Sequence, residues 1–416
     1  MKIFKILAVA LVATLGFTAC DKECGHDFIE YDHSKDLVGT WTCLTADYSE
    51  ALVINADGSV VSTGVEDGEY WEGVKGNIKT VNNKMTMTFE DDDNWEGRFE
   101  MVAGEAFTIY EENGESFTFR YCANDLAEEV VGMWVCNDSK KDAQNDMMIQ
   151  TFDANGKTSL TGFLPMGDNS EYVVKDETDY KVVGDLMFLA VPADKVGGDK
   201  PKYISERLIY TPKATALGDV MTFTNYSSDE NKLVSESWLR IKQHLELPGM
   251  KYDYIKTFVS NVKGEDKDIP FLNTSFNFAK MDGVKLDKML KTLLFAVEFP
   301  DANTIKYSCH YNGEYMALTA PIAVDGNKMT IKMSEKNAAL KDVDLYTFQD
   351  QDNTQMHMYM HSTAFVNFFG NMQATMMSQM GQLDLTNAEA VKAVFDSIDE
   401  AVETINVSFV MEKAAK

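Results

Sequence analysis

One short pattern occurs twice in this chain, and the repetition narrows the accessible folds more than any other feature. Leu37-Val38-Gly39-Thr40-Trp41-Thr42-Cys43 matches Val130-Val131-Gly132-Met133-Trp134-Val135-Cys136. Downstream, Ile54-Asn55-Ala56-Asp57-Gly58 matches Phe152-Asp153-Ala154-Asn155-Gly156, and Thr63-Gly64 matches Thr161-Gly162. The offset grows from 93 to 98 residues between the blocks, as a loop insertion in the second copy would produce. Self-similarity at a steady offset marks homologous modules, each a unit of the same architecture.

Each module reads as a run of short strands. Lys84 to Phe89 (KMTMTF), Phe107 to Tyr110 and Phe117 to Tyr121 alternate or are β-rich, as half-buried strands do. Between such runs sit Asn55-Ala56-Asp57-Gly58, Glu112-Asn113-Gly114 and Asp153-Ala154-Asn155-Gly156, residues that suit tight hairpins. Strands so spaced, with no helical pattern between them, predict antiparallel meanders that close into barrels. The expected fold is therefore mostly β: tandem antiparallel barrels over 37–123 and 130–242, then a connector over 243–269 containing Pro248-Gly249. A third β section over 270–416 carries inserted helices and is α+β in character. Its expected elements include a strand from Phe271 to Phe278 and a helical pattern from Val284 to Leu294. Helices are expected from Ala364 to Met380 and from Asn387 to Val402, the latter with Thr386 as N-cap, before a closing strand from Ile405 to Met411.

Residues 1–19 have the build of an export signal: Lys2 and Lys5, an apolar run from Ile6 to Phe17, then Thr18-Ala19-Cys20. The run is too short to cross roughly 30 Å of hydrocarbon, which takes about 20 apolar residues. Cys20 would be the first mature residue and the site of acylation, with Asp21-Lys22-Glu23 opening a polar tether over 20–36. The segment resembles bacterial lipoprotein signals, particularly those of the Bacteroidota, where acidic residues after the cysteine accompany export to the cell surface. That resemblance implies palmitate-type anchoring in the outer membrane, facing outward, with the periplasmic face as the alternative. The anchor at Cys20 is then the membrane contact.

A net charge of −28, with the acids dispersed among 45% hydrophobic residues, describes a solvated globular surface. It repels polyanions, so nucleic acid is excluded as a partner.

Gly39-x-Trp41 and Gly132-x-Trp134, each opening a β-meander, resemble the G-x-W start of the lipocalin and wider calycin families. In those families a late-strand arginine packs on the tryptophan at the closed barrel end, and Arg120 and Arg240 occupy comparable positions here. A guanidinium over an indole is worth roughly 0.5–2 kcal/mol. The resemblance implies barrels that bind a small apolar or amphipathic ligand.

Side-chain chemistry narrows the function further. Met356 to His361 would place His357, Tyr359 and His361 on one strand face and three methionines on the other. His357 and His361 are then about 13 Å apart, too far to share an ion, and an apolar interior explains the methionines better than a metal. The run Glu90 to Glu96 lacks the glycine and spacing of a calcium loop and reads as an acidic hairpin tip. Tyr70, Trp71 and Trp95 are candidate sugar platforms, weighed against a place in the core. The helix from Ala364 to Met380 carries Phe365, Phe368, Phe369, Met372, Met376 and Met380 along one face, as a barrel plug or a pocket lid.

Cys43 and Cys122, in the first and last strands of module one, are the candidate disulfide, although that bridge and a Trp41–Arg120 stack require different registers. No G-x-S-x-G, phosphate loop, H-E-x-x-H or C-x-x-C is present, so neither an enzyme nor a cofactor or metal site is expected. Two roles remain: a module holding a small ligand, or an interaction protein with filled barrels contacting glycans or a partner protein. For the anchor, metabolic labelling with an alkynyl fatty acid is expected to tag the wild type and not Cys20→Ala. Equal labelling of both would contradict acylation at Cys20.

Overall fold

The computed structural model describes residues 32–91, 94–136, 148–166, 169–174, 177–227, 230–271, 274–280, 283–311 and 313–415; Cys20 and the export signal lie outside them. Within these residues the chain is mostly antiparallel β and builds three barrels.

In barrel 1, β1 (Gly39–Leu44), β2 (Tyr48–Ile54), β3 (Ser59–Glu66), β4 (Glu69–Val81), β5 (Lys84–Phe89), β6 (Trp95–Val102), β7 (Ala106–Tyr110) and β8 (Ser116–Cys122) pair in chain order. Strand β8 returns to pair with β1 and closes the ring. Period-two alternation sets the interior: in β5, Met85 and Met87 point in while their neighbours face out.

Barrel 2 comprises β9 (Gly132–Cys136), β10 (Met148–Phe152), β11 (Lys157–Met166), β12 (Asn169–Val174), β13 (Thr178–Val183), β14 (Leu186–Val191), β15 (Lys202–Thr215), β16 (Gly218–Ser227) and β17 (Lys232–Ile241). Pairing of β17 with β9 and of β10 with β11 completes an eight-strand ring, and β12 branches from β11. The hairpins of the two copies correspond bond for bond. Ile78 N–H donates to the Gly58 carbonyl and Tyr180 N–H to the Gly156 carbonyl, both at 2.8 Å. The extra residues of the second copy fall between β9 and β10, in 137–147.

Barrel 3 begins earlier than expected. The segment 243–269, expected as a connector, supplies its longest strand, β18 (Met250–Gly264). Register shifts between Tyr254 and Lys256 and again after Ser260 interrupt the alternation of this strand, which hides it from a period-two reading. The hairpin β19 (Asp268–Phe271) and β20 (Thr274–Asn277) replaces the single strand expected from Phe271 to Phe278. Helix α1 (Gly283–Thr292) precedes β21 (Ala296–Asp301), β22 (Thr304–Tyr311), β23 (Glu314–Asp325), β24 (Lys328–Ile331), β25 (Val343–Gln349) and β26 (Gln355–His361). Then α2 (Ser362–Gln379) and α3 (Ala388–Asp399) lead into β27 (Val402–Lys413), which pairs with β18 and closes the ring. The N-cap of α3 is Asn387, whose side chain accepts from Ala390 N–H at 3.1 Å; Thr386 instead donates its hydroxyl to Asp384.

Helix α2 is core. Phe365, Phe368, Phe369 and Met376 are buried, and Phe368 packs on Phe295, Tyr307 and Phe409 at centroid distances of 5.7–6.2 Å. The plug alternative therefore describes it better than the lid.

The barrels meet through outward faces that are themselves apolar. Leu186 and Phe188 of β14 pack on Ala51 and Val65 of barrel 1, with Tyr70 stacked on Tyr203 at 4.3 Å. Thr42 donates to Asp185 at 2.6 Å, and Arg207 pairs with the same carboxylate. Between barrels 2 and 3, Val135, Ile149, Leu239 and Ile241 pack against Phe348. On β26, Met356, Met358 and Met360 line the interior of barrel 3, whereas His357 points outward and stacks on Phe348 at 4.5 Å.

Burial holds the His357 imidazole down to about 4 from the usual 6.5. The unfolded chain then takes up a proton more readily than the folded one. Stability is full above pH 6.5 and declines as the pH falls toward 4, by up to about 3 kcal/mol for this group. His357→Phe keeps the ring stack and removes the titration. Denaturant melts across that window should lose less stability in the variant than in the wild type; parallel curves would contradict it.

Candidate functional site: the mouth of barrel 1

The closed end of barrel 1 is built from the repeated motif. Trp41 is fully buried, and its indole N–H donates to the Leu37 carbonyl at 2.6 Å. The ring meets Phe107 at 5.1 Å and Tyr121 at 5.2 Å, and Phe107 stacks on Phe119. Below them a short helical turn, His33–Lys35, is tied on by His33 N–H donating to Thr80 at 2.8 Å and by the His33 ring edge on Phe99. Gly39 stands at φ +136° with a Tyr121 ring carbon 2.6 Å from where a Cβ would sit, so only glycine fits there.

Barrel 2 repeats this closure with a different cover. Trp134 N–H donates to Val130 at 2.7 Å, and Arg240, directly opposite on β17, lies over the indole at 4.5 Å. In barrel 1 the residue opposite Trp41 is Tyr121, not Arg120. Arg120 pairs with Thr42, one position along, and a one-residue step turns a side chain to the other face of a sheet. The expected Trp41–Arg120 stack is therefore replaced by an edge-to-face contact of Trp41 with Tyr121.

The same register separates the two cysteines. Cys122 stands opposite Thr40 and faces outward, while Cys43 faces the interior, and both are free thiols. Burial pushes Cys43 up to about 12 and Cys122 to about 11, and Cys122 donates to the Asn124 carbonyl.

At the opposite end the turns β1–β2, β3–β4, β5–β6 and β7–β8 ring a cavity of about 440 Å³. Its walls are Tyr48, Trp71, Phe89, Trp95 and Phe117, all half-buried, with Val74, Met87 and Ile109 below. Glu50 is 6% exposed within it. The Trp71 indole donates to Ser62 at 2.7 Å, Ser62 donates to one Glu50 oxygen at 2.5 Å, and the Tyr48 phenol donates to the other. Burial, then the Glu50 charge, holds the Tyr48 phenol well above its ordinary value. Tyr48 lies 4.7 Å from Phe117 and 6.2 Å from Trp71 by ring centroid. The indole of Trp71 reaches Ser62 across Gly64, where a Cβ would stand 2.2 Å from the Trp71 ring, at a register shift between β3 and β4.

Of the aromatics singled out as sugar platforms, Trp71 and Trp95 line this mouth, while Tyr70 faces barrel 2. Sequence reasoning missed Tyr48 and Glu50. The signal was present: alternation puts Tyr48 and Glu50 on the same face as Leu52 and Ile54, so a carboxylate stands in an apolar row.

Other cavities are smaller, among them one of about 340 Å³ between barrels 1 and 2, beside Leu44, Asp47 and Tyr203. Barrel 2 has one of about 310 Å³ lined by Glu206, Glu236, Phe223 and Trp238, where burial, then the Glu236 charge, pushes Glu206 up to about 7. Barrel 3 holds only about 60 Å³ between α2 and β22–β23, lined by Tyr307, Cys309, Met316, Phe368, Met372 and Met376. Small-molecule sites run to about 300–1,000 Å³, a range that the mouth of barrel 1 enters furthest, the barrel 2 cavity only at its lower bound, and the barrel 3 cavity not at all. Among the described residues no three His, Cys, Asp or Glu side chains converge as metal ligands.

No family model matches the chain, and no curated protein matches it. Similar solved structures include a double mutant and a single mutant of the vaccine antigen transferrin binding protein B from Haemophilus parasuis Hp5. They are 10% and 9% identical, the match covers 89% of this chain and 66% of theirs, and both TM-scores are 0.23. At that TM-score the likeness carries no argument about what this chain binds.

Peptide mapping without reductant is expected to find Cys43 and Cys122 unlinked. Cys43 should react with iodoacetamide only after unfolding. A linked pair would contradict the register of β1 on β8.

Proposed function

We propose that this chain is a non-enzymatic binding lipoprotein of the cell envelope, anchored through Cys20 and facing outward, that holds a small amphipathic molecule in the mouth of barrel 1. The observation that carries the reading is the asymmetry of that barrel. One end is stoppered by Trp41, Phe107 and Phe119, and the other is an aromatic-walled cavity of about 440 Å³. Small barrels are either filled by side chains or left with room for one ligand, and barrel 1 is of the second kind. Apolar walls around one hydrogen-bonded carboxylate, Glu50, suit a ligand with one flat apolar part and one hydrogen-bonding part. The filled interior of barrel 3 supports a different part for that module, packing against barrel 2 through Phe348.

Titration with the neutral fluorophore N-phenyl-1-naphthylamine tests the site. Binding to the wild type should weaken about tenfold, or about 1.4 kcal/mol, in Trp71→Ala. Met372→Ala, at the small cavity of barrel 3, should leave it unchanged. No binding to the wild type, or equal binding to Trp71→Ala, would overturn the proposal.

A further inference from the structure

The charge pattern of the mouth goes one step beyond that reading, on which this inference rests. The cavity is lined by Glu50, Glu66, Asp91, Glu111 and Glu115 together with its five aromatic rings, and no lysine or arginine is among its described lining residues. Aromatic rings present a negative face, and a cation held against several of them is attracted to each, more strongly once it has shed water. Carboxylates at the floor and rim add attraction of the same sign. An anionic ligand would meet repulsion from both, and a neutral one would leave the carboxylates without recompense for losing water.

We propose that the mouth of barrel 1 selects an organic cation, an ammonium group carried on a flat apolar body, with the body against Trp71, Trp95 and Phe117 and the ammonium toward Glu50. The Tyr48 and Ser62 hydroxyls each donate to one Glu50 oxygen and orient the carboxylate within the mouth. The high-lying phenol of Tyr48 stays protonated at neutral pH and keeps that donor role. The net charge of −28 adds a long-range field that draws cations in and weakens with salt.

Three indoles that differ in charge separate the two levels of inference. Calorimetric titration of the full mature protein should give tryptamine, a cation, at least tenfold tighter binding than its neutral counterpart tryptophol, and no detectable binding of indole-3-acetate. The tryptamine preference should shrink to about twofold in Glu50→Gln. Because a buried carboxylate also supports its neighbours, the rim pair Glu66→Gln with Glu115→Gln is measured alongside. It should keep the melting temperature and lose several-fold affinity for tryptamine alone. Equal affinity for tryptamine and tryptophol, or naphthylamine binding without tryptamine binding, would overturn the cation preference and leave the cavity as a binding site. Failure of the indoles and the naphthylamine alike would overturn both.

Discussion

The indole N–H bond from Trp41 to Leu37, repeated from Trp134 to Val130, is the contact on which the architecture of the first two barrels depends. It ties the entering chain to the first strand and holds the largest side chain buried at one barrel end. A buried indole must find a partner for its N–H, and a carbonyl four residues upstream offers one without help from distant strands. Gly39 and Gly132, both near φ +140°, set the bend that makes this geometry reachable. Once one end is stoppered in this way, hydrophobic closure is complete there, and the other end of barrel 1 need not be filled.

The third dimension enters through the outer faces. Strands of a small barrel ordinarily show water their second face, yet Leu186, Met187 and Phe188 of β14 are all buried. Barrel 1 covers the outward pair, and barrel 3 covers Val135, Ile149 and Leu239 in the same manner. Burial of these patches binds the modules to one another and removes apolar area that would otherwise invite aggregation. His357 lies in one such seam, which is why its neutral form is favoured there.

Much of this was legible in the residues, and the failures have particular causes. Alternation in KMTMTF, the Asn/Asp-Gly turns and the doubled Gly-x-Trp specify antiparallel barrels because each is a local signal. Arg240 and Arg120 look equivalent in sequence, but facing direction depends on register, which is a property of two strands and not of one. Strand β18 was hidden by its register shifts, and the separation of Cys43 from Cys122 follows from the same pairing that puts Tyr121 against Trp41. At the candidate site Trp71 and Trp95 were visible as aromatics, whereas Glu50 required asking why an acid stands in an inward row. The cavity itself could not be read from sequence, since it is space left over when the rings of four turns fail to meet.

That space is the central claim, and native mass spectrometry of the mature protein, purified from the cells that make it with no ligand added, tests it most directly. An open mouth on barrel 1 predicts a bound species of constant mass that is lost in Trp71→Ala while the fold survives. Bare protein mass under conditions that preserve non-covalent complexes, or the same adduct at full occupancy in Trp71→Ala, would contradict it.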